Sequence, residues 1–260
     1  MTALRVYVAG IGVWSPQLTD FSALRRVLAG AAPGTSPARP PAAMLPPNER
    51  RRAPESVAVA LEVALEACTA AQRDPATLPS VFASTHGDLS ITDYMCSTLL
   101  EDPRAMSPTR FHNSVHNAAA GYWTIGNHCV LATTAISAFD ATFAQGLLEA
   151  LLQLASGEPA VLLAAYDSAS AGPLAAVSRS EGTLGGALVL SSAGHVGKPR
   201  LRVTLVDGNV APARGALARL AAGNAMAPML PLFDALALGD DAALLKAGPG
   251  RVLRVEIAHG

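Results

Sequence analysis

The stretch from Asn113 to Asp167 reads NSVHNAAAGYWTIGNHCVLATTAISAFDATFAQGLLEALLQLASGEPAVLLAAYD, and its pattern decides the fold. A glycine-containing helix start leads into an apolar strand, then a turn of small residues, a long helix and a second buried strand. The turn is placed at Ala132 to Ala138, where the first strand ends and the helix begins. Many enzymes put a nucleophile at such a junction, because the side chain projects from a tight turn and backbone amides of the helix N-terminus favour anionic intermediates. Here the residue at the attacking position is Ile136, which has no nucleophilic atom.

Composition narrows the function classes. A chain of 260 residues that is 50% hydrophobic can bury a sizeable core if its elements pack in layers, and one compact unit is the simplest organisation. The formal net charge of -1 offers no basic field for a nucleic-acid backbone or an anionic membrane. Cys68, Cys96 and Cys129 are odd in number and form no spaced framework. With no signal-peptide pattern at the N-terminus, they read as reduced thiols of a cytoplasmic protein. The apolar run Val161 to Ala165 is too short to span a bilayer.

Outside the central stretch, Leu4 to Trp14 reads as a strand whose two glycines allow close approach of another backbone. Phe21 to Ala29 reads as a short helix and Ala31 to Pro47 as an irregular loop. Val57, Ala60, Leu61, Ala64, Leu65 and Cys68 follow the 3.6-residue period within a helix from Pro54 to Ala71, which makes Cys68 a core thiol. Further strands are read at Pro79–His86, Gly185–Ser191, Leu201–Val206 and Arg251–Ala258. Further helices are read at Ser90–Glu101, Ala213–Ala222 and Pro228–Leu238. Strands alternating with helices give an α/β architecture.

Other chemistry is weakly supported. His112 and His116, with His128 later, could be metal ligands, but no carboxylate is spaced as their partner, and no metal is expected. Cys129 beside His128 is a weak candidate for nucleophile and base, since adjacent strand residues point to opposite faces. Gly10-x-Gly12 lacks the third glycine of a dinucleotide turn, and the Gly182–Gly186 segment lacks the lysine of a phosphate loop.

Five segments in one order, from Arg5 to Leu190, resemble the β-ketoacyl synthase or condensing-enzyme family of the thiolase fold. RVYVAGIGVWSP resembles its first strand, Asn117-Ala-Ala-Ala-Gly121 its Asn-x-x-Ala-Gly helix, and Thr134-Ala135-Ile136-Ser137 its Thr-Ala-Cys-Ser. LLEALLQLASGEPAVLLAAYDS and SEGTLGGALVL resemble the helix, strand and Ser-Glu-Gly strand that follow. The resemblance implies a single domain over 1–260, with a thiolase-like N-terminal half at 1–192 and a shortened second half at 193–260. The family cysteine is replaced by Ile136, and neither of the family's two histidine motifs occurs after Ser191, where the histidines are His195 and His259.

These departures resemble the chain-length factors, silent relatives that pair with an active ketosynthase, and in particular the compact form found beside aryl-polyene pigment synthases. The expected activity is none and the expected cofactor none; the expected partners are a catalytic ketosynthase and, through the complex, an acyl carrier protein. The resemblance assigns the dimer strand to Cys129, Val130, Leu131, Ala132, Thr133 and Thr134. It assigns contact with the partner's acyl tunnel to Arg110, Phe111, His112, Asn113, His116 and Asn117. Two other functions remain open at this point: an acyl-transfer enzyme with a relocated nucleophile such as Ser137 or Cys129, and a standalone acyl-ligand binding protein.

Overall fold

A computed structural model describes residues 4–35, 37, 39–194, 196–211 and 215–260. His195 and the start of the helix expected from Ala213 lie outside them. In chain order the elements are β1 (Leu4–Trp14), α1 (Phe21–Leu28), α2 (Pro47–Arg52), α3 (Glu55–Ala71), β2 (Ser80–Ala83), α4 (Leu89–Glu101), α5 (Pro108–His112), α6 (Ala118–Gly126) and β3 (Thr133–Ile136). After these come α7 (Thr142–Ala155), β4 (Ala160–Asp167), β5 (Leu184–Ser191), β6 (Arg200–Asp207), α8 (Ala216–Ala221), α9 (Leu230–Leu238), β7 (Ala242–Gly248) and β8 (Arg251–Ala258). The strands join in the order β3-β2-β4-β5-β1-β6-β8-β7.

The first five strands form the N-terminal unit. β3, β2 and β4 are parallel, whereas β5 runs antiparallel to both β4 and β1. β4 and β5 are buried at every position, so they read as continuous apolar runs rather than alternating ones. Their faces nevertheless divide two cores. Val161, Leu163 and Ala165 join α7, α9 and the strands β6, β7 and β8, whereas Leu162, Ala164 and Tyr166 join α3 and α6.

α3 is the helix on which the first core is built. Its 3.6-residue pattern predicts one buried face, yet Ala58, Ala60, Leu61 and Val63 are all buried, because α6 and Ala42, Leu45 and Ala53 cover the side turned away from the sheet. Small residues let it settle directly on β1. A Cβ at Gly10 would lie 2.1 Å from the Ala67 carbonyl oxygen, and one at Gly12 2.2 Å from that of Val63. Cys68 is buried here, and burial pushes its thiol up to about 12, so it is an inert core group.

Glu66 ties α3 to the N-terminal strand and helix by accepting from Val13 N and Phe21 N, both at 2.8 Å. Burial still outweighs these bonds and pushes its carboxyl up to about 7, from an ordinary value of 4.5. Between those two values the folded chain holds a proton that the unfolded chain has released. Stability therefore falls as pH rises from about 4.5 to about 7, by about 3 kcal/mol from this group. Glu66→Gln is expected to flatten that part of the profile, read as urea midpoints across pH 4.5–8; an unaltered slope would assign it to other carboxyls.

The shortened second unit does not leave a greasy sheet face. β6, β8 and β7 are antiparallel, and their inward residues Leu201, Val203, Val255, Ile257 and Leu245 are buried. Their outward row carries Arg202 and Arg254 beside Glu256, with Arg202 Nη1 2.9 Å from Glu256 Oε2. Alternation along these strands thus turns the apolar row to the core and the charged row outward. β7 is a strand, and α2 and α5 are short helices, that the sequence reading leaves unassigned; α2 starts at Pro47, where the irregular loop is read to end.

Candidate functional site

The chemistry-bearing loops gather at the carboxyl ends of β3, β2 and β4. Asp167, at the end of β4, is fully buried and accepts from Ser84 Oγ at 2.7 Å, Thr85 N at 3.1 Å and His86 N at 3.3 Å. Burial raises its carboxyl above the usual range against these bonds. His116 Nε2 lies 2.8 Å from the Ser84 carbonyl, which can only accept, so this nitrogen carries the proton. Asn224, also buried, donates to the carbonyls of Asp167, Glu181 and Gly182. The network closes the ends of the strands with backbone and side-chain partners, and the sequence reading missed it because its members are far apart in the chain.

The strand-to-helix junction lies further along the chain than expected. The apolar strand predicted at Cys129–Thr134 is instead β3 at Thr133–Ile136, in register with Ser80–Ala83. Ile136 is therefore the last residue of a strand and not a turn apex; it is half-buried and packs against the core near Gly146 of α7. The turn runs through Ser137 and Ala138 to Phe139, whose φ of +56° is the strained position, and α7 begins only at Thr142. Thr142 Oγ1 fixes this turn by donating to Phe139 O at 2.6 Å and accepting from Ala138 N at 3.0 Å.

What the junction presents is an exposed phenyl ring, 67% accessible, followed by Asp140, which is ion-paired with Lys246 of β7. Gln145 Nε2 adds a bond to Ala247 O at 2.7 Å, so α7 holds the free edge of β7. Ser137 Oγ donates to the Thr85 carbonyl at 3.0 Å, an acceptor that cannot take its proton. Cys129 is buried, with Sγ 3.6 Å from the Leu78 carbonyl. No group of three or more His, Cys, Asp or Glu side chains is placed to hold a metal among the described residues.

The other side of β3 is the free edge of the sheet. The segment entering it exposes Val130 (95%) and Leu131 (41%), α6, which packs on β3, exposes Ile125, and Phe111 (61%) and Val115 are exposed in and just after α5. An unpaired strand edge next to large exposed apolar side chains marks a contact surface. Of the residues expected at a partner's tunnel, Phe111, Arg110, His112 and Asn117 are exposed and His116 is half-buried. Asn113 is buried at 3% and reaches Arg52 O through Nδ2 at 3.4 Å. Arg110 stacks on the Tyr94 ring at 4.1 Å.

A buried helix on one face of a mixed five-stranded unit, a second helix on the other, and an elbow between edge strand and helix define a thiolase-like layered fold. The chain belongs to the beta-ketoacyl synthase, N-terminal domain family, which matches residues 28–246. Three solved assemblies contain chains of the same fold. One is the ketosynthase ApeO in complex with its chain length factor ApeC from Xenorhabdus doucetiae, at 19% identity and TM-score 0.74, with 97% of this chain and 99% of that chain covered. Another is AntDE:AntF, a type II polyketide synthase acyl-carrier protein in complex with its ketosynthase bound to the hexaketide, at 14% identity and TM-score 0.74, with both chains fully covered at 100%. The third is the ishigamide ketosynthase/chain length factor, at 15% identity and TM-score 0.73, covering 98% and 99%. A sequence comparison with curated proteins finds no match. No helix among the described residues is long and apolar enough to cross a membrane.

Proposed function

We propose that this chain is a noncatalytic chain-length factor that pairs with an active ketosynthase and shapes its acyl tunnel, in a polyketide or fatty-acid-like pathway of the aryl-polyene kind. The observation that carries the reading is the elbow itself. The family scaffold is complete around it, yet Ile136 lies in the strand and Phe139 occupies the strained turn, so neither position offers an atom that can form a thioester. The aliphatic and aromatic side chains around the β3 edge supply the surface for the ketosynthase, and an acyl carrier protein meets this chain through that complex. The division is placed at 192/193, between β5 and β6, which both pair with β1 in the one eight-stranded sheet. A cytoplasmic location goes with this role.

A relocated nucleophile has less support, since Cys129 is buried and Ser137 is committed to a carbonyl. A standalone acyl-binding role leaves the β3 edge and its apolar neighbours without a use.

The pairing is tested by co-expression with the candidate ketosynthase and size-exclusion chromatography. The wild-type chain is expected to elute as a heterodimer. Val130→Arg puts a cation where a 95% exposed valine stands, in a segment outside the chain's own ladder, and is expected to weaken copurification at least tenfold while leaving the free chain folded. An undiminished complex would move the interface away from this edge.

A further inference from the structure

The side of the sheet that α3 covers is left open at its far end. α3 lies over β1, β5 and β4 and stops at Ala71, above Gly10. Beyond it, Arg5 of β1, Arg200 and Arg202 of β6 and Arg254 of β8 stand exposed on that side, in alternation with the residues that enter the core.

The strand register brings these charges together. Arg5 is the cross-strand partner of Arg202, and Arg202 is that of Glu256. Glu256 is the one carboxylate in these rows and is divided between two arginines, 2.9 Å from Arg202 Nη1 and 3.6 Å from Arg254 Nη2. The side chains of Arg5 and Arg200 form no hydrogen bond or ion pair among the described residues. Asp240 and Asp241 precede β7, two strands away from β6. Like charges directly opposite each other on a sheet cost stability, so folding gives no reason for Arg5 to face Arg202. An anionic group from outside the chain does.

The footprint selects the kind of anion. The four arginines span two strand spacings, about 10 Å, and about 13 Å along the strands. One α-helix with its side chains is about 10–12 Å across. A nucleic-acid backbone carries a phosphate at every step and would meet Glu256 in the middle of the patch, whereas a helix can set carboxylates on the arginines and an uncharged residue over Glu256. Leu244 of β7, opposite Arg254 and 45% exposed, adds an apolar contact at one margin.

We propose that this open face docks an acidic amphipathic α-helix of a partner protein. Carboxylates of that helix take Arg5, Arg200 and Arg202 in forked pairs, and its apolar side rests on Leu244. The face lies at the opposite end of the sheet from β3, and the proposal does not depend on what pairs with that edge.

Fluorescence anisotropy with the full chain at low salt tests it, using two labelled helical peptides of about 18 residues. One carries glutamates at i and i+4 with leucines on its other side, and its twin has glutamine in place of every glutamate. The glutamate peptide is expected to bind saturably and about tenfold tighter than its twin, with an advantage that shrinks as salt is added. Arg5→Glu gives the decisive readout. It sets a carboxylate opposite Arg202, so the thermal midpoint is expected to hold or rise while affinity for the glutamate peptide falls about tenfold. Should that variant fold poorly, Arg200→Glu, at an exposed position without a partner, decides in its place. Equal affinity for the two peptides, or equal affinity of wild type and variant for the glutamate peptide, would overturn the proposal. So would tighter binding of a DNA duplex or of phosphatidylserine vesicles than of that peptide.

Discussion

Replacing Gly12 by alanine is expected to cost this chain a large part of its stability. The new methyl carbon would sit 2.2 Å from the Val63 carbonyl oxygen and 3.0 Å from Ala67 N, and both atoms are backbone of α3. A side chain in the way could change rotamer, but a helix backbone has to move as a body. α3 cannot retreat, because α6 and the segment around Ala42 to Ala53 pack on its far side and its residues are buried throughout. The loss should reach about 4–5 kcal/mol, against a total stability of about 5–15 kcal/mol for a domain. Gly10→Ala, with its clash at 2.1 Å, should behave alike. Gly121→Ala is the control. It lies inside α6 with open space around the added carbon, and the better helix former is expected to be neutral or to stabilise by up to about 1 kcal/mol. Soluble yield and thermal midpoints of the three variants check this. A Gly12→Ala chain with a wild-type midpoint would mean that β1 and α3 do not meet backbone to backbone.

Phe111→Ala, reconstituted with the partner ketosynthase, is expected to lengthen the products. An aromatic beside a proline-led turn often fills its own core, and for Phe111 that alternative is removed by the structure, where the ring stands 61% exposed on α5. Ser107 caps that short helix through Arg110 N, and Pro108 starts it, so the ring projects from a fixed base. On the proposed role, a ring held in this way would stop a growing acyl chain by overlap, since a filled site takes extra carbons only at a cost of about 1–3 kcal/mol. Truncation to alanine removes the overlap. Mass spectrometry of products from complexes of equal yield reads the result, and an unchanged length distribution from an intact complex would remove Phe111 from the mechanism.

The two halves of the site differ in how far the sequence exposes them. The family, the α/β class, and the placement of β1, α3, α4, β5 and β8 follow from local patterns, because each is a long periodic or uniformly apolar run bounded by proline, glycine or a capping residue. The position of β3 does not follow. Cys129 to Ala132 is an apolar run that looks like a buried strand, whereas Thr133–Ile136, with two β-branched threonines and an isoleucine, pairs with the four residues of β2. The neighbour strand therefore chose the register and carried Ile136 into the strand and Phe139 to the elbow. Exposure of Phe111 and Val130, the covering of α3 on its outer side, and the meeting of Asp167, Ser84 and His86 were likewise settled only in three dimensions. Hydrophobicity along a chain states that a side chain seeks to leave water, but whether it finds its own core or a second protein depends on which surfaces the tertiary fold has already covered.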